Sequence, residues 1–490
     1  MDAAVIVVGA GPAGLMLAGE LRLGGVPVVV LDRLDRPTGE SRGLGFTART
    51  MEVFDQRGLL PRFGPIETSP VGHFGGLPVD FSVLDGAHFG AKGVPQARTE
   101  AVLTEWAVEL GADIRRGWEF VGFTEHDGGV EVQVRTPAGP TALRAQYLVG
   151  CDGGRSTVRK AARFDFPGTA ATMEMFLADV QGCDLRPRPI GESFPGGMVM
   201  AGPLGDGVDR IIVCERGTPP ARRTTPPSFA EVADAWQRLT GESIHHGTGL
   251  WVSAFGDATR QVTQYRRGRV LIAGDAAHIH LPAGGQGLNV SVQDSVNLGW
   301  KLAAVVRGSA PPELLDTYHA ERHPVGARLL MNTRAQGLLF LRGEEMQPLR
   351  DVLTELIAYD SVSRHLAGMV SGLAIQYAFG EGDHPLLGRR MPHQELVGEA
   401  GKTSTTELLH PARGVLLDLA DDAELRAAAA GWADRVQIVT AVPHDADARS
   451  PLSGTAAVLI RPDGHVAWTA GEHSGPGELP AALDRWFGPA

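Results

Sequence analysis

The chain has 490 residues, 43% of them hydrophobic and 21% charged, so it is long enough for two or three globular domains with their own cores. A formal net charge of −12 leaves no cationic surface for phosphate backbones and argues against a nucleic-acid partner. Three cysteines without a C-x-x-C pair (Cys151, Cys183, Cys214) supply neither a disulfide framework nor a cysteine metal site, and no apolar run reaches the roughly 20 residues of a membrane span, so a cytoplasmic protein without a membrane partner is expected.

In chain order, residues 3–31 read as strand, glycine turn, helix and strand, a βαβ unit. Residues 51–57 look helical and stop at Gly58, and 71–84 carry short alternating runs that suit antiparallel strands. A helix is expected over 99–110, from the spacing of Val102, Leu103, Trp106 and Leu110. Strands return at 130–135 and 147–150. From 168 to 265 the pattern is strands broken by Gly and Pro around one amphipathic helix at 229–239. A strand at 269–273 then runs into Gly274-Asp275, followed by long helices over 286–306 and 314–331. Beyond a helical stretch near 350–387 comes a compact series: strands at 414–419, 436–441 and 456–460, a helix at 423–433, a turn at Pro462-Asp463-Gly464, and a last helix at 480–487.

Three glycine-rich turns carry the chemistry. Gly9-Ala10-Gly11-Pro12-Ala13-Gly14 follows a strand and opens a helix, and Asp32, with Arg33 beside it, ends the next strand about 20 residues on. In such a turn Gly9 permits the tight bend and Gly11 lets the backbone approach a pyrophosphate. Gly14 lets helix and strand pack closely, the helix N-terminus supplies amide donors to the phosphates, and Asp32 accepts from a ribose hydroxyl. Further on, Asp152-Gly153 and Gly274-Asp275 each lie at the end of a strand, at the ligand-facing edge of a parallel sheet. Pro282-Ala283-Gly284-Gly285-Gln286-Gly287-Leu288-Asn289 then opens a long helix, a turn whose amides can meet a flat, partly anionic ring.

These three motifs, in this order, resemble the single-component flavoprotein aromatic hydroxylases, the family of para-hydroxybenzoate and phenol hydroxylases. The resemblance implies a Rossmann-like α/β FAD-binding domain, 1–168 with 266–348, carrying an inserted, mostly antiparallel substrate domain, 169–265 with strands near 71–95. A helical linker at 349–400 and a C-terminal domain at 401–490 follow. That last domain resembles a thioredoxin-like fold without the cysteine pair, which leaves it packing or subunit contact, a homodimer included. Residues 9–14 and Asp32 would hold the ADP part of FAD, Asp152 and Gly153 would serve FAD and the pyridine nucleotide, and Asp275 would meet the ribityl chain. Pro282 to Asn289 would contact the isoalloxazine. Ser41-Arg42-Gly43-Leu44-Gly45 is similar to the family segment whose arginine lies near the flavin, and Gln96 matches a position that contacts FAD. The run from Glu40 to Thr50, together with a third domain, is similar to hydroxylases of aromatic polyketide pathways, angucycline hydroxylases above all.

What the resemblance implies is hydroxylation of a polycyclic aromatic polyketide with O2 and NADPH or NADH. The chemistry would be carried by a C4a-hydroperoxyflavin rather than by a protein nucleophile. With no second G-x-G-x-x-G unit, the nicotinamide would dock transiently. Phe74, Phe81, Phe176 and Met200 are candidates to line the substrate space, although strand residues of this kind more often form core. His278 and His280 read as a loop pair with too few neighbouring ligands for a metal. Epoxidation, Baeyer-Villiger-type oxygenation and dehydrogenation share these motifs and stay open, as does a non-catalytic FAD-binding protein.

Overall fold

In the computed structural model the described residues are 1–490 except 222, 381–383, 400, 445–449 and 472–476. Its central sheet has six strands in the spatial order Arg266–Arg267, Val270–Ile272, Tyr147–Gly150, Val5–Val8, Val28–Asp32, Asp113–Arg116. All pair in parallel except the edge strand Arg266–Arg267. The continuous Val and Leu runs follow from burial on both faces, and Val5 to Val7 have no exposed surface. Helices Pro12–Leu23 and Gln286–Val306 pack together on this sheet. A Cβ on Gly299 would lie 2.4 Å from the Cβ of Glu20, so their crossing needs a residue without a side chain.

Register then does the gathering. Val8 pairs with Leu31 on one side and Gly150 on the other, and Gly150 pairs with Ile272. Three strands therefore end level, and the residues that follow them (Gly9, Cys151, Ala273) open the three glycine turns on one edge. Motifs more than 260 residues apart in sequence meet for that reason alone.

A five-stranded antiparallel sheet lies between the Asp152 and Asp275 segments, in the order Arg188–Phe194, Gly197–Gly205, Val208–Glu215, Glu174–Gln181, Thr248–Gly256. Helix Phe229–Thr240 covers one of its faces, started by a capping box between Ser228 and Glu231. Alternation sends Phe176, Ala178, Val199, Ile211 and Val213 into that face against Trp236. Met175, Met198, Met200 and Cys214 go to the other face, toward Leu281, Ala283 and Phe340. Phe176 therefore belongs to the helix-facing core and does not line a substrate space. The hairpin Val71–Phe74/Leu77–Asp80 forms a sheet of its own. Phe74 and Phe81 are buried there with Leu339, Leu366 and Val370, so they too are core. Met200, half-buried, packs with Leu281 and Ala283 beside the third glycine turn.

Helices Asp316–Leu341, Gln347–Ile357 and Asp360–Ser371 lead to a six-stranded C-terminal sheet. Its order is Gly401–Ser404, Glu395–Gly398, Val436–Pro443, Gly414–Asp418, Thr455–Ile460, Val466–Gly471, with only the two central strands parallel. The end of the expected linker is thus a strand. With Leu396 as its one fully buried residue, Glu395–Gly398 shows too little alternation to be read from sequence. No helix among the described residues is long and apolar enough to cross a membrane.

The loop at Pro462-Asp463-Gly464 is more than a surface turn. Arg461 has no exposed surface and donates to both oxygens of Glu321 at 2.8 Å, while also pairing with Asp463. Lys301 completes the group, 2.9 Å from Glu321. Arg57 bridges Glu20 (2.6 Å) and the carbonyl of Pro462 (2.7 Å), and Arg49 donates to the carbonyl of Asp463 (2.8 Å). The hairpin tip is plugged into the helices beneath the central sheet.

Candidate active site

The glycines of the first turn divide into two kinds. Gly9 sits at φ +108°, and a Cβ there would lie 2.4 Å from the carbonyl oxygen of Cys151. A Cβ on Gly14 would lie 1.9 Å from the carbonyl oxygen of Gly9. Both glycines are demanded by the protein's own packing. Gly11 is different: its φ of −83° suits any residue, and a Cβ would meet nothing within 4 Å. What Gly11 keeps clear is space at the N-terminus of helix Pro12–Leu23, where an anion is best placed. Asp32 accepts the amide of Ala10 (2.8 Å) on one oxygen and that of Leu34 (2.9 Å) on the other. A carboxylate offers about four acceptor sites, so two remain for ribose hydroxyls. Arg33 beside it is exposed.

The second turn holds itself together. Asp152 accepts from the Ser156 hydroxyl and from the amides of Thr157 (2.6 Å) and Val158 (3.1 Å), capping helix Thr157–Ala161. Its carboxylate positions that helix, while Gly153, at φ +78° with nothing within 4 Å of a Cβ, is the open point.

At the third turn Asp275 is reached by water yet crowded by protein. That crowding raises its pKa, with His278 and Arg42 opposing, and Asp275 makes no hydrogen bond through its side chain among the described residues. Arg42, exposed, likewise has no ion-pair partner among them. Pro282 begins a short turn in which Gly284 (φ +70°) and Gly285 (φ +64°) are left-handed, and Gly285 starts helix Gln286–Val306. The left-handed pair turns the chain so that the first amides of that helix, which have no internal partners, lie at an open Gly285.

Buried Asn289 fastens this turn. Its Oδ1 accepts the amide of Thr47 (2.8 Å), and its Nδ2 donates to the carbonyls of Gly285 (2.8 Å) and Gly45 (3.1 Å). Gln286 accepts from Asn332 (3.1 Å), Asn332 accepts from Gln336 (2.9 Å), and Gln336 accepts the amide of Gly75 (3.1 Å). The Ser41–Gly45 run lies across the site. Gln96 accepts the amide of Gly43 (3.1 Å), and Leu288 comes within 3.2 Å of a Cβ on Gly43. Gly287 adjoins His280, whose Nδ1 faces the carbonyl of Leu281 (2.6 Å) and whose pKa burial lowers to about 4. That imidazole is neutral at neutral pH, with Nε2 left as an acceptor.

Open glycines at three strand ends, a helix start, and an acid and a guanidinium without protein partners among the described residues fit a long ligand with a pyrophosphate, a polyhydroxyl chain and a flat ring. FAD is such a ligand. Residues 2–333 match the family model described as FAD binding domain, and 384–490 match that of the aromatic-ring hydroxylase C-terminal domain. The chain belongs to the FAD-dependent aromatic-ring hydroxylases. Within that family, its fold superposes with a TM-score of 0.97 on the crystal structure of CabE, an aromatic hydroxylase from angucycline biosynthesis, at 72% identity and full coverage of both chains. BexE, studied for oxidation during BE-7585A biosynthesis, gives 0.94 at 67% identity, again over both full chains. The 12-dehydrotetracycline 5-monooxygenase/anhydrotetracycline 6-monooxygenase of Streptomyces rimosus is 45% identical over 99% of each chain.

The hydroxylase site contains polar residues that sequence reasoning missed. Asp294, fully buried, accepts from His278 Nε2 (2.7 Å) and Arg322 Nε (2.7 Å), and Arg322 reaches the Tyr377 hydroxyl (3.1 Å). This buried row braces Gly274-Asp275, since the amide of Gly274 also donates to Asp294. Arg210, on the inserted sheet, grips both oxygens of Asp179 (2.6 and 2.7 Å) and donates to the carbonyl of Ser41, so the sheet is fixed against the Arg42 loop. A signal for the first row exists: Gln293, Asp294, Ser295, Asn297 and Lys301 crowd polar groups into a helix that must be buried. For Arg210, on a strand that otherwise alternates normally, there is none.

The Asp275 carboxylate gives a direct expectation. Asp275→Ala should weaken FAD binding by about 10- to 100-fold, from loss of a charge-assisted hydrogen bond of about 1.5–3 kcal/mol. The apoprotein's thermal midpoint should not fall, because that carboxylate bonds no described residue. Flavin-fluorescence titration measures the first and calorimetry the second; an unchanged FAD affinity would remove Asp275 from the site.

Proposed function

We propose that the protein hydroxylates the phenolic ring system of a polycyclic aromatic polyketide of angucycline type, with NADPH or NADH as reductant and O2 as co-substrate. The observation that carries this reading is the apolar wall opposite the flavin turn. Half-buried Met200, Phe255 and Phe340 pack with Leu281 and Ala283 next to Pro282–Gly285, backed by buried Met175 and Met198 of the inserted sheet. Methionines adapt their shape and sulfur favours aromatic edges, so such a wall suits a broad, flat, electron-rich molecule. The high identity to an angucycline hydroxylase supports the same substrate class.

FAD, when bound and reduced, supplies the activation of oxygen that no side chain provides. The residues of the chain bind, orient and exclude. Residues 9–14 with Asp32 would hold the adenosine diphosphate end, and Asp275 and Arg42 the middle. The helix N-terminus at Gln286 to Asn289 would stabilise negative charge at the ring edge. Gln96 holds the Arg42 loop in register, and the methionine wall keeps water from the reacting centre. The polypeptide is read as a discontinuous FAD-binding domain, an inserted substrate domain and a C-terminal domain of thioredoxin-like type. Parallel central strands with antiparallel neighbours support the last assignment.

NAD(P)H oxidation by the purified protein, screened with angular and linear polycyclic phenols, tests the reading. An angular phenol is expected to stimulate it and to yield a product heavier by one oxygen, located by NMR on a ring carbon as a hydroxyl. A lactone, an epoxide or a desaturated product would overturn hydroxylation, and no stimulation by any phenol would overturn the substrate class.

A further inference from the structure

Away from the cleft, where helix Ala48–Asp55 meets the C-terminal sheet, three side chains far apart in sequence converge: Asp55, His88 and His393. One ligand atom from each lies within 4.8 Å of the other two. The imidazoles of His88 and His393 stack with centroids 4.2 Å apart and planes 20° from parallel. Sequence reading had no means of finding the group, since its members follow no ligand spacing and are brought together only by docking of the C-terminal sheet.

Two imidazoles and a carboxylate form a nitrogen–nitrogen–oxygen set suited to divalent first-row ions, zinc in particular. The surroundings are those of a ligand set. His393 Nδ1 faces Thr406 Oγ1 at 3.0 Å, a hydroxyl able to accept from Nδ1–H when Nε2 is given to an ion. Glu395 Oε1 stands 3.4 Å from the same Nε2, an adjacent oxygen for a fourth position.

We infer that Asp55, His88 and His393 form a divalent transition-metal site, with zinc the best-suited ion, that clamps the FAD-binding part of the chain to its C-terminal sheet. Bonds of about 2.0–2.2 Å in tetrahedral array space ligand atoms about 3.3–3.6 Å apart. Lone pairs lie in the imidazole planes, so the stacked rings close on one ion only when His88, exposed on its loop, turns out of the stack and moves inward. The ion would join Asp55 and His88, both before residue 90, to His393.

The test uses full-length, untagged, FAD-loaded protein, stripped with a chelator and titrated with zinc chloride by calorimetry. One equivalent is expected to bind per chain and to raise the thermal midpoint. Thr406→Val should weaken binding about tenfold through loss of the orienting hydroxyl, and His88→Gln and His393→Gln by more. FAD content and turnover should be unchanged in all three, which separates this site from the cleft. Absence of saturable zinc binding by the wild-type protein would overturn the proposal without recourse to variants. Equal binding by a folded His88→Gln/His393→Gln double variant would overturn it too.

Discussion

Gly11→Val is expected to leave a folded apoprotein that no longer retains FAD, whereas Gly14→Ala is expected to compromise the fold itself. The contrast follows from where each new Cβ would go. At Gly14 it would lie 1.9 Å from the backbone oxygen of Gly9 in the same turn, a distance no rotamer change relieves. At Gly11 the backbone is ordinary and a Cβ meets nothing within 4 Å, so the apoprotein accepts a side chain there. The added bulk projects where a pyrophosphate must approach the helix N-terminus. Loss of two charge-assisted contacts, each about 1.5–3 kcal/mol, weakens binding by about 100-fold or more. Thermal unfolding of the apoproteins and FAD titration measure the two effects separately. Gly11→Val with normal FAD affinity would contradict the placement of the phosphates, and Gly14→Ala with a normal thermal midpoint would contradict the packing of the turn.

The second large effect lies far from the cleft. Arg461→Leu should destabilise the protein by about 3–5 kcal/mol, the usual cost of stranding buried charges by removing one partner. Arg461 neutralises Glu321 and Asp463 at the plugged hairpin tip, enclosed by Trp300, Phe379 and Trp486 with ring centroids 4.4–5.2 Å away. Once it is gone, Lys301 and the Asn297 amide are left to face the two carboxylates. Arg461→Lys keeps the charge but not the planar fork that meets Glu321 with two bonds, so it should fall between. Acid sensitivity gives the sign. Arg461 and Lys301 hold Glu321 well below the usual carboxylate range. The stability this brings is present above the unfolded-state value and is lost as pH falls through the folded one. In Arg461→Leu that contribution shrinks, and stability should depend less on pH between neutrality and pH 3 than in the wild type. A thermal midpoint equal to wild type would show that the hairpin tip does not anchor the C-terminal sheet.

Much of this was legible in sequence because it is local. The apolar strand, G-x-G-x-x-G turn and Asp32 carry their own context, and helix Gln286–Val306 begins where its glycines end. The C-terminal strands at 414–418 and 455–460 likewise stand out as apolar runs between turns. What failed depends on partners distant in the chain. Phe74, Phe81 and Phe176 are apolar strand residues whose facing is set by what packs on each sheet, which alternation cannot name. Asp152 follows a strand as a ligand-binding acid does, and that its oxygens also cap a helix of this chain is not visible in the motif. Arg461 precedes, and Asp463 lies within, what sequence marks only as a turn, and only the tertiary fold reveals that helix residues Glu321 and Lys301 await them. Asp55, His88 and His393 lie hundreds of residues apart at the extremes and share no motif.

Flavin content tests the central claim most directly: the absorbance spectrum of natively purified protein, followed by stoichiometric FAD titration of the stripped chain. A yellow protein with one FAD per polypeptide, taken up again after removal, is expected. A colourless protein that takes up no FAD would contradict it, whatever the shape of its fold.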